Sequence, residues 1–223
     1  MEKGKYHKNL FLINLNNFIG GFLFFLPILA LYLQKELASL SNVALVLSVQ
    51  AIAFAIFEVP TGAYADLYGR KKSLILSNIL MLLSIIFLAI GGNIYMILLY
   101  AVINSLGRSF SSGSDLSIFY DSLKREGKEH EFKKRISFSF ALWPIGASIG
   151  AIIGGIMGSY SLALPIYASL VPLTIHLFLL FFIKVSRLLA IKNYRLKPDF
   201  LTNGKAGQAF FTEGKGENGG RFF

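Results

Sequence analysis

The sequence predicts an all-α membrane protein of six transmembrane helices with both termini on the cytoplasmic side. Three observations carry that prediction. First, of 223 residues 54% are hydrophobic and only 15% are charged, against about 25% charged in a soluble domain, so the polar surface that water demands is missing. Mean hydropathy is +0.59. Second, six apolar segments each approach or exceed the ~20 residues that cross a hydrocarbon core of ~30 Å at 1.5 Å per residue. Third, lysine and arginine gather at alternate connections between these segments, the pattern that marks cytoplasmic loops. Helices satisfy their own backbone groups and so are the open-ended elements lipid accepts.

The elements follow in order. Lys3, Lys5 and Lys8 place the start of the chain inside, ahead of the first segment, Leu10 to Leu33. That segment is longer than the ~7–15 residue apolar core of a secretory signal, and no small-residue cleavage site follows it, so it is expected to remain as the first span. It carries Asn14 and Asn17 one turn apart, Gly21 below them and Pro27 as a kink. The asparagines serve either as solute contacts or as interhelical hydrogen bonds. In the first connection Lys35 is balanced by Glu36, which marks an outer loop. The second segment, Val43 to Ala65, holds Glu58 towards its inner end, as a pathway, latch or coupling residue. Arg70, Lys71 and Lys72 then return the chain to the inside. The third segment, Ser73 to Ile90, ends in the uncharged connection Gly91, Gly92, Asn93.

The fourth segment, Ile94 to Tyr120, has the most polar interior. Asn104, Arg108, Ser111, Ser112 and Asp115 recur at helical spacing and line one face. A charge near mid-depth costs a few kcal/mol even on permissive scales, so such a stripe is expected to face a bundle interior or an aqueous pathway. The alternative is an ion pair of Arg108 with Asp115 or Glu58 that only joins helices. Lys124, Arg125, Lys128, Lys133, Lys134 and Arg135 follow on the inner side. In the fifth segment, Ile136 to Gly158, Gly146, Gly150, Gly154 and Gly158 recur every fourth residue beside Gly155. Such a ridge lets another helix lie close. The uncharged Ser159, Tyr160 and Ser161 lead to the sixth segment, Leu162 to Ile183, where His176 follows Pro172 as either a proton relay or a satisfied core group.

Several functions are excluded. With no cysteine there is no disulfide framework and no thiolate metal site or nucleophile. The net charge of +10 is accounted for by the inner loops, so nucleic acid is not an expected partner. No nucleotide-binding, metalloprotease or hydrolase motif occurs, and three scattered histidines do not make a metal cluster. No enzyme, cofactor or metal is expected.

The stretch GAYADLYGRKK, Gly62 to Lys72, supplies more than a basic loop needs. Gly62, Asp66, Gly69, Arg70 and Lys71 match GxxxDxxGRK, the motif A signature that resembles the major facilitator superfamily of secondary transporters, and it falls between the second and third segments as it does there. FEVPTG, Phe57 to Gly62, and YDSLKREGKE, Tyr120 to Glu129, are similar to a prokaryotic branch of that family. The resemblance implies the amino-terminal half of a twelve-span transporter. It also implies a latch in which Asp66 and Arg70 meet an acid at the inner end of the fourth span, here Asp121, and which opens as the two halves rock. Two departures qualify it. The family's arginine in the fourth span is followed by glycine four residues later, whereas Gly113 is five from Arg108. The antiporter signature GPxxGG keeps its glycines at Gly150, Gly154 and Gly155 but has Ala151 for proline.

The resemblance covers residues 8 to about 186, and a bundle over residues 1–186 is expected, followed by a basic, glycine-rich, disordered cytoplasmic tail over 187–223 without a seventh span. A truncated or frameshifted reading frame would give such a tail. The expected function is alternating-access movement of a small solute coupled to protons or sodium, in the plasma membrane, with a homodimer or a separate second six-helix half completing the fold. The alternatives are a non-transporting fragment, and a membrane scaffold or regulator with the glycine ridge as contact surface.

Overall fold

The computed structural model describes residues 3–112 and 114–183, and among these every regular element is helical. They belong to one compact unit; the tail over 187–223 lies outside the described residues. The helices are α1 (Lys3–Gly20), α2 (Leu29–Leu37), α3 (Leu40–Tyr68), α4 (Arg70–Ile90), α5 (Ile94–Ser111), α6 (Ser114–Glu126), α7 (Phe132–Tyr160) and α8 (Leu164–Phe182), with single 3-10 turns at Leu26–Ile28 and Glu129–Glu131. Among the described residues, five stretches are long and apolar enough to cross a membrane: Leu40–Tyr68, Arg70–Ile90, Ile94–Lys124, Phe132–Tyr160 and Leu164–Phe182. They correspond to the second to sixth predicted segments.

The first segment is not one helix. α1 ends at Gly20, the chain turns through residues 21–25, and helix resumes at α2. Two adjacent glycines weaken the helix at this point, and Pro27 supplies no N–H to continue it. Turn bonds replace the helical ladder: Gly21 N–H donates to Phe18 O at 3.2 Å, Phe22 N–H to Ile19 O at 3.0 Å, and Leu23 N–H to Gly21 O at 2.7 Å.

This turn is what the glycine ridge of α7 receives. A Cβ at Gly146 would collide with the Phe18 carbonyl oxygen, one at Gly150 would come within 3.2 Å of Phe22 Cα, and one at Gly154 would collide with the Phe24 carbonyl oxygen. At Gly158 it would lie 3.0 Å from Ile28 Cγ2, whereas at Gly155 it would meet nothing. Backbone therefore packs on backbone along about two turns of α7, from Gly146 to Gly154. The ridge expected as a contact surface for a scaffold partner is occupied by the chain itself, because only glycine admits an irregular, carbonyl-bearing segment so closely.

The corner of motif A has its own cause. Gly69 is the single residue between α3 and α4, at φ +97°, a conformation other residues reach only under strain. Its N–H bonds Ala65 O at 3.0 Å, while its carbonyl accepts from Lys72 and Ser73 at 3.1 and 3.2 Å. At the opposite end of α4, Gly91 and Gly92 also have positive φ. There Gly92 N–H donates to Glu36 Oε2 at 2.9 Å and Tyr32 Oη donates to Leu88 O at 2.8 Å, so the first and third connections are tied together.

α4 packs against α5 and α8, α5 against α3, and α1 against α6, α7 and α8. Buried apolar residues form two clusters. One centres on Leu33, Val46, Ile85, Leu88, Ile97, Tyr100 and Ile166, the other on Leu10, Ile13, Leu74, Phe119, Leu123 and Leu180.

A candidate solute pathway and its latch

The polar stripe predicted along the fourth segment divides into a buried upper part and an exposed lower part. Asn104 is buried: its Oδ1 accepts from Gln50 Nε2 at 3.0 Å, and its Nδ2 donates to Ser84 Oγ at 3.1 Å. Serine hydroxyls on the same helix continue the join, with Ser105 Oγ donating to Gln50 O at 2.7 Å and Ser109 Oγ to Phe54 O at 3.2 Å. Asn104 thus joins α3, α4 and α5. An interhelical hydrogen bond in a membrane contributes ~0.6 kcal/mol on average, but a buried group left unpaired costs ~1–3 kcal/mol. Asn104→Ala removes one hydrogen bond from each of Gln50 and Ser84, whose other contacts, Gln50 with Tyr100 and Ser84 Oγ with Met81 O at 2.7 Å, remain. Its thermal midpoint in lipid nanodiscs is therefore expected to fall by an amount equivalent to about 1 kcal/mol, and an unchanged midpoint would contradict this role.

One turn further on, the stripe becomes exposed. Arg108, Ser112 and Glu58 all lie open on the surface of the bundle. The Arg108 guanidinium carbon stands 5.2 Å from the centre of the Phe54 ring, and Ser112 Oγ donates to Glu58 Oε1 at 3.2 Å. Among the described residues no salt bridge joins Arg108 to Glu58 or Asp115, so the gluing ion pair weighed above is absent. Asp115 leaves the stripe for a geometric reason: α5 ends at Ser111, Ser112 takes an extended ψ of 122°, and Asp115 occupies the first turn of a separate helix, α6. There its carboxylate complements the helix dipole. Ser111 Oγ bonds its own helix at Arg108 O, 2.8 Å.

The two predicted asparagines of the first segment part company. Asn17 Nδ2 donates to Ser139 Oγ at 2.9 Å and so joins α1 to α7. Asn14 lines a recess of about 560 Å³ with Leu10, Phe119, Glu131, Lys134, Arg135 and Phe138. At its rim Arg135 Nε donates to Glu131 Oε2 at 2.5 Å, which holds the Glu131 carboxyl below its usual range.

Sequence reasoning missed a buried cluster between the two apolar cores. Asn16 Nδ2 lies 2.9 Å from His176 Nε2, and Asn78 Nδ2 contacts His176 Nδ1, so α1, α4 and α8 converge on one imidazole. His176 stood out in the sequence, but its partners lie 160 and 98 residues away and carry no local signal beyond being polar in apolar segments.

At the corner between α3 and α4, Arg70 Nη2 stands 3.4 Å from Asp66 Oδ1 across Gly69. Asp121 is half-buried on α6, which packs against α4. Lys71 Nζ turns the other way and donates to Phe181 O at 2.8 Å and Ile183 O at 2.6 Å. It thereby caps the carbonyl end of α8, where a cation opposes the helix dipole. Gly62 is half-exposed, and a Cβ there would meet nothing. Among the described residues no three His, Asp or Glu side chains gather as a metal site requires.

Five apolar helical stretches of spanning length among the described residues define a multi-pass membrane protein. The family model described as Major Facilitator Superfamily matches residues 10–212, so the chain belongs to that superfamily, and the match runs past residue 186, where the motif resemblance was taken to end. A curated relative, named Uncharacterized MFS-type transporter YxaM of Bacillus subtilis (strain 168), is 30% identical over 162 residues, 72% of this chain and 40% of the relative. The chain thus matches well under half the length of that relative.

Proposed function

We propose that the chain forms one six-span bundle of an ion-coupled solute transporter of the plasma membrane, with both termini cytoplasmic, and that a second bundle faces it across the surface carrying Glu58, Arg108 and Ser112. The observation that carries this reading is the exposure of that acid and that arginine on the bundle. Against hydrocarbon each charge costs several kcal/mol, whereas against a water-filled cleft between two bundles neither does. Asn14 and the recess beside it extend the pathway inward; Asn17 and Asn104 join the helices that frame it. Asp66, Arg70 and Asp121 act as the latch at its cytoplasmic end.

The halves of this fold are parallel repeats about an axis along the membrane normal, so a second copy of the chain meets the requirement without inversion. Counting copies per particle by stepwise photobleaching in bilayers is expected to give two. A single copy, folded and with Glu58 and Arg108 in contact with lipid, would contradict the proposal.

A further inference from the structure

The charged face also indicates what kind of solute it takes. This step rests on the reading of that face as a pathway. Phe54 and Glu58 lie one turn apart on α3, and Arg108 and Ser112 one turn apart on α5. Two cross-helix contacts close the figure: Arg108 over Phe54 at 5.2 Å and Ser112 on Glu58 at 3.2 Å. With neighbours one turn apart separated by roughly 6 Å, the base and the acid occupy opposite corners of a small quadrilateral open to the surface.

Each charge is anchored by a neutral neighbour and keeps part of its bonding capacity. The guanidinium carbon lies 5.2 Å from the Phe54 ring centre, and a guanidinium offers a fork of N–H donors that suits a carboxylate in a two-point contact. Ser112 occupies one oxygen of Glu58 and leaves the other to accept. A solute with a single charge would pair one corner only, displacing water from the other without replacing its bonds. A neutral solute would do so at both. A solute carrying a carboxylate and an ammonium a few ångströms apart pairs both corners at once. We infer that Glu58 and Arg108 form a subsite for a small zwitterion of α-amino-acid size, with its carboxylate on Arg108 and its ammonium on Glu58.

The test is equilibrium dialysis of the full chain in lipid nanodiscs at about pH 7 against three mixtures: the twenty common α-amino acids with glycine betaine, the amines obtained by removing their carboxylates, and the acids obtained by removing their amino groups. Retention above empty nanodiscs is read by mass spectrometry. At least one zwitterion is expected to be retained, and its amine and acid analogues at least tenfold more weakly. Arg108→Gln and Glu58→Gln are each expected to weaken retention at least tenfold. Arg108→Lys, which keeps the charge but loses the two-point N–H fork, is expected to fall between and covers the case in which Arg108→Gln does not fold. Retention of amines or acids alone, zwitterion retention indifferent to these substitutions, or no retention from any mixture would overturn the inference. Binding is read without transport, so such a failure leaves the copy number and the water accessibility of the charged face to decide the pathway reading.

Discussion

Gly154→Leu is expected to leave almost no folded protein in the membrane, while Gly155→Leu is recovered at wild-type levels. The two positions are adjacent in sequence and opposite in consequence. Gly154 is buried against the turn that interrupts the first segment, and any Cβ there meets the Phe24 carbonyl oxygen. Overpacking costs ~1–3 kcal/mol where side chains can move aside. Here the obstacle is backbone, fixed from behind by Phe25 N–H donating to Ser169 Oγ at 3.3 Å, so the loss is expected at or beyond the top of that range even for Gly154→Ala. Leucine at 154 forces the turn off α7. Gly155 faces open space, and a surface substitution of that kind stays within about 0.5 kcal/mol. Size-exclusion profiles of fluorescently tagged variants report the outcome. Equal recovery of both would remove the backbone-on-backbone packing of α1 and α7.

Asp66→Asn is expected to abolish solute movement while leaving insertion and melting nearly unchanged. The Asp66–Arg70 pair is well exposed on both sides, and pairs of that kind contribute ~0–1 kcal/mol to stability. On the proposed latch reading, its effect lies in the balance between states. Asp66 lies in the last turn of α3 and Arg70 opens α4, with only Gly69 between the two helices, so the pair spans a one-residue corner. Lys71 carries that corner to the end of α8 through two carbonyls. A coupling of ~1–3 kcal/mol shifts a two-state ratio by roughly 5–150-fold, enough to trap the protein on one side of its cycle. Because the chain has no cysteine, spin labels can be placed at will. With Lys124→Cys labelled on both copies, Asp66→Asn is expected to move the intersubunit distance distribution to a single population. A distribution and a solute flux matching the wild type would remove the latch.

The way particular residues behaved shows how far the sequence could be read. The five later apolar segments were legible because hydropathy acts locally, without reference to neighbours. The first segment looked continuous because its hydropathy is continuous. Gly20, Gly21 and Pro27 weaken the helix locally, but where the turn settles is tertiary, against glycines more than a hundred residues away on α7. The ridge of Gly146, Gly150 and Gly154 announced close packing but not the identity of the partner, which periodicity in one segment cannot encode. The stripe from Asn104 to Asp115 assumed one unbroken helix; the end of α5 at Ser111 keeps Arg108 in place and moves Asp115 onto α6. Asn16 and Asn78 escaped notice because their role exists only around His176.

The central claim is that the surface bearing Glu58, Arg108 and Ser112 meets water inside a cleft and not lipid. Ser112→Cys and Ile152→Cys, both at exposed positions, place single thiols on α5's charged end and on the apolar outer face of α7. A thiol reacts as its thiolate, which forms only where water reaches it. With a membrane-impermeant maleimide on the reconstituted protein, labelling at 112 is expected to run at least tenfold faster than at 152. Equally slow labelling at the two positions would contradict the account.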